Sequence, residues 1–340
     1  MQPKYCQIID CGSIPLWNSI SYIIMHMEAI KQVGGACGEI ECLLPEKKED
    51  GSSVTFMESV LLRSQYVEYK LSHYLDKSTE TLFGFVSVLP GAFSTFRWEC
   101  INGSPLDEFL KGAADEFHDL HQIRPCSEAN KYLAEDRIMC LEIIAKKNCE
   151  YIIHYVPGAQ CLTDPPLTLT QLIKQRRRWF NGSMFASIHV LKHMCKVWRR
   201  KKRSCFRNFA FMILYFYMTI QMVLSFFIVG NFYGVFNIFI RSFWNYDDCF
   251  SFTAPANFVI NLYILFLILT MMLSSTISIQ WAEYGYRATS VFMGLFTLLM
   301  IGSSFLLIGR QEINVLGLVF LFVYLISFLC PLCCNCKKLK

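Results

Sequence analysis

The chain has 340 residues, 54% of them hydrophobic and 17% charged, with a formal net charge of +5. The basic excess is local, at Lys174 to Arg178 and Arg199 to Arg203, with no aromatic-interleaved groove or finger spacing, so a nucleic-acid partner is excluded. Of the 16 cysteines, those of the first half, such as Cys6, Cys11, Cys37, Cys42, Cys140 and Cys149, are scattered singly through apparent strands and helices, which argues against a disulfide framework and fits reduced, buried thiols.

The composition changes near residue 205. Before it the chain is mixed and charged, about 200 residues that suffice for one α/β domain. Beyond it Phe, Leu, Ile and Met dominate.

Tyr5 to Asp10 reads as an interior strand, an apolar run ending in an acid and without a signal-peptide pattern. A domain rarely begins in mid-sheet, so the chain is expected to be the C-terminal part of a longer protein. A Gly12–Pro15 turn leads to a helix over 16–31, from the spacing of Trp17, Ile20, Ile23, Ile24 and Met27. Val33 to Ile40 is glycine-rich and reads as a closely packed strand. After a charged loop, residues 54–75 form a long helix. Phe83 to Leu89 reads as a short buried strand, 102–131 as a loop, and Ala134 to Lys147 as an amphipathic helix with Ile138, Leu141 and Ile144 on one face. Tyr151 to Val156 is a further strand, and 165–197 is helical.

Four stretches near the ~20 residues a span requires follow at 208–230, 256–279, 286–308 and 314–333, the first continuing to about 242. Basic residues beside spans mark the cytoplasmic side. Four passes therefore place the domain and Lys337, Lys338 and Lys340 together in the cytosol, where the Asn102 and Asn181 triplets stay unglycosylated. Cys330, Cys333, Cys334 and Cys336 at the end of the last span suit S-acylation better than a metal, and plain unmodified thiols better still. The expected organisation is an α/β domain over 1–164, interfacial helices over 165–205 and a membrane region over 206–340.

Four groups of residues can carry chemistry. Helical spacing puts Gln175, Arg178 and Trp179 on one face and points Arg176 and Arg177 elsewhere. An amide, a guanidinium and an aromatic platform suit a phosphate-bearing donor and a sugar ring, while a basic stretch holding anionic lipid is the plainer reading. Asp10, beside a small-residue turn at a strand end, is either a turn cap or a ligand for Mg²⁺ or Mn²⁺. Glu135 and Asp136 open a helix as dipole partners, or Asp136 is a general base kept ionised by the helix N-terminus. Gln65, Glu68 and Tyr69 share a helical face as core network or substrate contact, and the Pro90-Gly91-Ala92-Phe93 turn lets backbone amides approach a ligand.

Asp10-Cys11-Gly12, Cys37-Gly38-Glu39, Gln65-x-x-Glu68-Tyr69, Leu75-Asp76-Lys77, Pro90-Gly91-Ala92-Phe93-Ser94, Ala134-Glu135-Asp136-Arg137 and Gln175 to Trp179 with Asn181-Gly182-Ser183 occur in an order that resembles the chitin synthase branch of the processive family 2 glycosyltransferases, over about 5–235. The resemblance implies a partial GT-A domain followed by an α-helical transmembrane bundle of about four spans, with the family's upstream uridine-binding strands lacking a counterpart. It implies transfer of N-acetylglucosamine from UDP-N-acetylglucosamine to a growing β-1,4 chitin chain, exported across the bilayer. Asp136 is then the base, and Asp10 holds Mg²⁺ or Mn²⁺ and diphosphate. Gln175, Arg178 and Trp179 close over donor phosphates and acceptor end, with Glu135, Gly91, Ala92, Phe93, Gln65, Glu68 and Tyr69 shaping the donor and acceptor sites. A multi-pass protein of the plasma or secretory vesicle membrane is implied, with a cytosolic domain and room for a homodimer. An inactive truncated paralogue or partner subunit, or a synthase of another β-linked polysaccharide, is the alternative.

Overall fold

The computed structural model describes residues 2–45, 51–118, 130, 132–147, 150–198, 204–244, 253–275, 282–309, 322 and 325. They fall into two compact units, one built chiefly of Met1–Pro166 and Gln175–Met222, the other of Leu167–Lys174 and Val223–Lys337.

The first unit is an α/β domain around a five-stranded mixed sheet. In chain order its elements are β1 (Tyr5–Ile8), β2 (Ile14–Pro15), α1 (Ser19–Ala29), β3 (Val33–Cys42), α2 (Phe56–Leu71), a π-helical segment Ser72–Lys77, α3 (Ser78–Phe83), β4 (Ser94–Arg97), α4 (Trp98–Ile101), α5 (Ser104–His118), a 3₁₀ turn Tyr132–Ala134, α6 (Glu135–Ala145) and β5 (Ile152–Thr163). The long helix α7 (Leu169–Trp198) follows, then α8 (Cys205–Phe226). The sheet order is β1-β4-β3-β5-β2. Strand β3 runs parallel to β5 and antiparallel to β4.

The glycines explain why β3 can be the hub. It is buried along almost its whole length, and a Cβ on Gly35 would stand 2.8 Å from Leu89 Cδ1. On Gly38 it would collide with the Ala159 carbonyl and the Phe93 ring. Close approach of flanking segments is therefore possible only without side chains there.

Helix α2 begins with a reciprocal capping box: the Thr55 hydroxyl accepts from the Glu58 amide, and the Glu58 carboxylate accepts from the Thr55 amide at 2.9 Å. Its far end is tied to β3 by His73. The Ile40 amide donates to His73 Nε2 at 3.2 Å while Nδ1 bonds the Tyr69 carbonyl at 2.6 Å, which defines a neutral imidazole. Burial lowers its pKa to about 3.

Several sequence expectations change. Tyr5–Ile8 lies at the edge of the described sheet, paired only with β4. Phe83 to Leu89 is not a strand: Phe85, Val86 and Leu89 are buried, but the segment meets β5 through the Ile153 amide and Gly84 carbonyl at 3.0 Å. Buried apolar runs read alike whether or not they join a ladder. Strand pairing resumes after the Pro90 turn, in β4. Part of the expected 102–131 loop is helix α5. Helix α6 is not amphipathic, since every residue from Ile138 to Ala145 is buried. Within 165–197 there is one helix, α7.

Two apolar clusters flank the sheet. The larger joins Phe85, Leu89 and Phe96 to Leu141 and Ile144 of α6, Val190 and Val197 of α7, and Phe211, Leu214 and Tyr215 of α8. The Tyr215 ring stacks on Phe85 with centroids 6.2 Å apart. The first half of an apolar helix is thus fastened to the α/β core.

In the second unit, α9 (Ile228–Trp244), α10 (Thr253–Ser274) and α11 (Glu283–Gly309) pack together through Phe236, Ile240, Ile260, Tyr263, Phe296 and Met300. Among the described residues, three helices are long and apolar enough to cross a membrane: Cys205–Phe226, Ala254–Ser274 and Glu283–Phe305. The expected continuation of the first stretch to 242 is a separate helix, α9. The expected span at 314–333 lies outside the described residues, as do the terminal cysteine cluster and lysines.

Candidate active site

Two acids far apart in sequence flank one glycine. Asp10 follows β1 in a turn closed by the Ser13 amide and the Asp10 carbonyl at 3.1 Å. Gly12 turns the chain with φ of 87°, a conformation that suits glycine. Gly91 lies in the turn before β4, closed by the Phe93 amide and the Pro90 carbonyl at 3.2 Å. Its own amide donates to Asp136 Oδ2 at 3.0 Å. A Cβ on Gly91 would stand 3.3 Å from Asp10 Oδ1 and 3.6 Å from Asp136 Oδ2.

Asp136 lies in the first turn of α6, where Ala134 is the N-cap residue and no side chain caps the helix. The helix terminus was expected to hold it ionised. Burial wins instead, with Glu135 and Asp10 adding like charge, and lifts its pKa to about 7 despite the Gly91 hydrogen bond. Glu135 is half-buried beside it. Arg137 turns inward, where burial lowers its pKa and Glu80 opposes that shift.

The third group approaches on α7. A Cβ on Gly182 would lie 2.8 Å from the Leu133 carbonyl carbon and 3.0 Å from the Ala134 amide nitrogen. The helix backbone therefore rests on the chain immediately before Glu135 and Asp136. Val190 and Val197 extend that contact into the core around α6, and Lys196 reaches Glu142 at 3.6 Å.

Trp179, one turn before Gly182, is partly exposed. Tyr69 of α2 meets it edge-on, with centroids 6.4 Å apart, and the Arg176 guanidinium lies 4.6 Å from its ring centre. Arg176 also makes a two-pronged ion pair with Glu68, both contacts 2.7 Å. Arg178 is exposed, and among the described residues no carboxylate lies within ion-pair distance of it. Gln65 is buried, donating to the Pro166 carbonyl at 2.9 Å. Its Oε1 and that of Gln175 are buried and have no hydrogen-bond partner among the described residues.

Of the residues singled out in the sequence, Asp10, Gly91 and Asp136 come together, and so do Glu68, Tyr69 and Trp179. Phe93 does not face the acids: it is fully buried in the cluster with Ile23 and Ile40, with Ala92 packed beside it. Arg176, expected to point elsewhere, joins the Trp179 group because an i,i+3 neighbour on a helix can reach sideways over a ring. Gly182 stood only inside a motif, with no role of its own, and Asp164 was missed. Asp164 Oδ2 lies 3.4 Å from where a Cβ on Gly12 would stand, and only the fold brings β5 beside that turn.

Among the described residues no group of three or more His, Cys, Asp or Glu side chains is placed to hold a metal unaided. Asp10 fits a hard divalent cation in a more limited way: it is an oxygen donor beside the Gly91 turn, and such an ion takes its remaining ligands from phosphate and water.

An α/β domain with paired acids and an Arg–Trp helix, continued by membrane-length helices, defines a membrane-associated glycosyltransferase class. The chain belongs to the chitin synthase-like glycosyltransferase domain family, whose model matches residues 1–194. It is 40% identical over 254 residues to chitin synthase I of Metarhizium acridum, an alignment covering 73% of this chain and 27% of that protein. It is 40% identical over 243 residues to chitin synthase C of Aspergillus oryzae (70% and 25% of the respective chains). It is 36% identical over 233 residues to chitin synthase 1 of Phytophthora sojae (68% and 24%). The chain thus matches about a quarter of the length of these curated relatives.

Proposed function

We propose that this chain supplies the base, the acceptor platform and part of the membrane region of a chitin synthase. The reaction is transfer of N-acetylglucosamine from UDP-N-acetylglucosamine to the 4-hydroxyl of a growing β-1,4-linked chain, with inversion. The observation that carries this reading is the meeting of Asp10 and Asp136 at Gly91, with α7 resting on the residues just before Asp136.

Asp136 accepts the proton of the attacking hydroxyl, and a pKa near 7 makes it a stronger base than an ordinary carboxylate while still largely ionised above neutrality. The Gly91 amide holds the carboxylate in place. Asp10 would hold Mg²⁺ or Mn²⁺, which supplies charge neutralisation for the departing UDP. Arg178, which has no carboxylate partner among the described residues, offers its fork to the diphosphate. Trp179 supports the sugar ring at the acceptor end. The apolar helices anchor the enzyme in a plasma or secretory vesicle membrane, with the α/β domain cytosolic and polymer leaving outward.

Membranes containing the protein, given radiolabelled UDP-N-acetylglucosamine or UDP-glucose in parallel, test this directly. A chitinase-sensitive product from the first donor, abolished in Asp136→Asn, is expected. Normal polymer from Asp136→Asn removes the assignment of the base, and incorporation from UDP-glucose alone replaces the substrate.

A further inference from the structure

We infer that Glu68 is a positioning residue for the acceptor platform, acting through Arg176 to set the plane of the Trp179 ring. The inference rests on the functional reading above.

A tryptophan on a helix surface keeps two side-chain torsions, and its ring plane is defined only by what it packs against. Among the described residues, one aromatic ring and one guanidinium meet Trp179. Tyr69 presents itself at 85° to the ring, and the Arg176 guanidinium covers it at 4.6 Å. Arg176 comes from the same helix, so by itself it shares that mobility. Glu68, on α2, removes it. Two bonds of 2.7 Å from Nη1 and Nη2 to Oε1 and Oε2 match the planar fork to the carboxylate, fixing both the position and the tilt of the guanidinium.

The exposure of the pair points to orientation rather than stability. The Glu68 side chain is 57% exposed and that of Arg176 19%, and ion pairs in such settings contribute little to folding. Pairing also sets the electrostatics. Arg176 is neutralised by Glu68, whereas Arg178 two residues on has no such partner among the described residues. The adjacent arginines therefore divide the work, Arg176 supporting the ring and Arg178 left for anionic substrate. With one ring face under the guanidinium, the sugar uses the opposite face.

The test is steady-state synthesis by the full chain in membranes, varying UDP-N-acetylglucosamine and added chitobiose separately. Glu68→Gln and Arg176→Lys are expected to raise the apparent KM for chitobiose about three- to fivefold, the scale of an exposed cation–π contact, with the donor KM unchanged. Glu68→Asp should recover part of the loss. The exchanged pair Glu68→Arg with Arg176→Glu restores an ion pair but places a carboxylate at the ring, and should not recover acceptor affinity. An unchanged chitobiose KM in Glu68→Gln, a rise confined to the donor KM, or full recovery in the exchanged pair overturns the inference. A wild-type protein making no polymer overturns the functional reading instead, so the two failures are distinct.

Discussion

The Gly91 amide donates a 3.0 Å hydrogen bond to Asp136 across 45 residues of sequence. The bond sets the Pro90–Phe93 turn against the start of α6 and leaves the face of Gly91 open between Asp136 and Asp10. A side chain at 91 would enter the space between two carboxylates. Glycine there keeps that space clear.

Asp136 sets the pH response. Burial, with the charges of Glu135 and Asp10, raises its carboxyl pKa to about 7. The base form is the ionised one, so kcat/KM should rise about tenfold per pH unit below that value and level off above it. Glu135→Gln removes a like charge and should move this limb to lower pH. A pH–rate profile in which Glu135→Gln shifts the limb upward, or not at all, contradicts the electrostatic account.

Gly91→Ala tests the space between the acids. The added methyl would lie 3.3 Å from Asp10 Oδ1, tight but clear of backbone, so the fold should survive with a melting temperature within a few degrees of wild type. Turnover should fall at least roughly tenfold, because displacement of reacting groups by a fraction of an ångström is costly. Undiminished turnover would separate Gly91 from the chemistry.

Gly182→Ala should behave differently. Its Cβ meets backbone at 2.8–3.0 Å on Leu133 and Ala134, which cannot yield as a flexible side chain does. Overpacking of this kind costs about 1–3 kcal/mol, so both thermal stability and activity should drop together. Gly230→Ala, with nothing within 4 Å, is the control and should leave stability near wild type.

Lys70 carries a structural prediction away from the acids. It bonds Glu39 at 2.5 Å and also Glu41, while Glu39 is almost wholly buried. Lys70→Met leaves Glu39 without its cation and should destabilise the domain by about 3 kcal/mol. Thermal denaturation of the detergent-solubilised protein measures this. A change below 1 kcal/mol would mean that Gln160, 3.4 Å from Glu39, is partner enough.

Local pattern revealed much of the architecture. The periodicity of Ile20, Ile23 and Met27 is a short-range signal that α1 follows, and the long helix expected over 54–75 is α2 with the π-helical segment after it. The change of composition near residue 205 announced membrane-length helices. Phe83 to Leu89 misled because burial without periodicity does not distinguish a ladder strand from an extended segment packed under a helix. Helix α6 misled because a helix buried on all sides has no polar face to mark its orientation.

The candidate site divides along the same line. The chemistry of each group is written in its residue type: acids for proton and cation, a guanidinium for phosphate, an indole for a sugar face. Spacing along α7 suggests Trp179 with Gln175 and Arg178, whereas the guanidinium found at its ring is that of Arg176. The partners across elements are not legible in this way. That Arg176 belongs to Glu68, that Asp136 is less acidic than its place at a helix start implies, and that Gly91 separates two acids depend on which segments the sheet order brings side by side. Covalent connectivity specifies neighbours over a few residues, whereas dielectric environment and ion pairing are properties of space, and only the folded chain defines them.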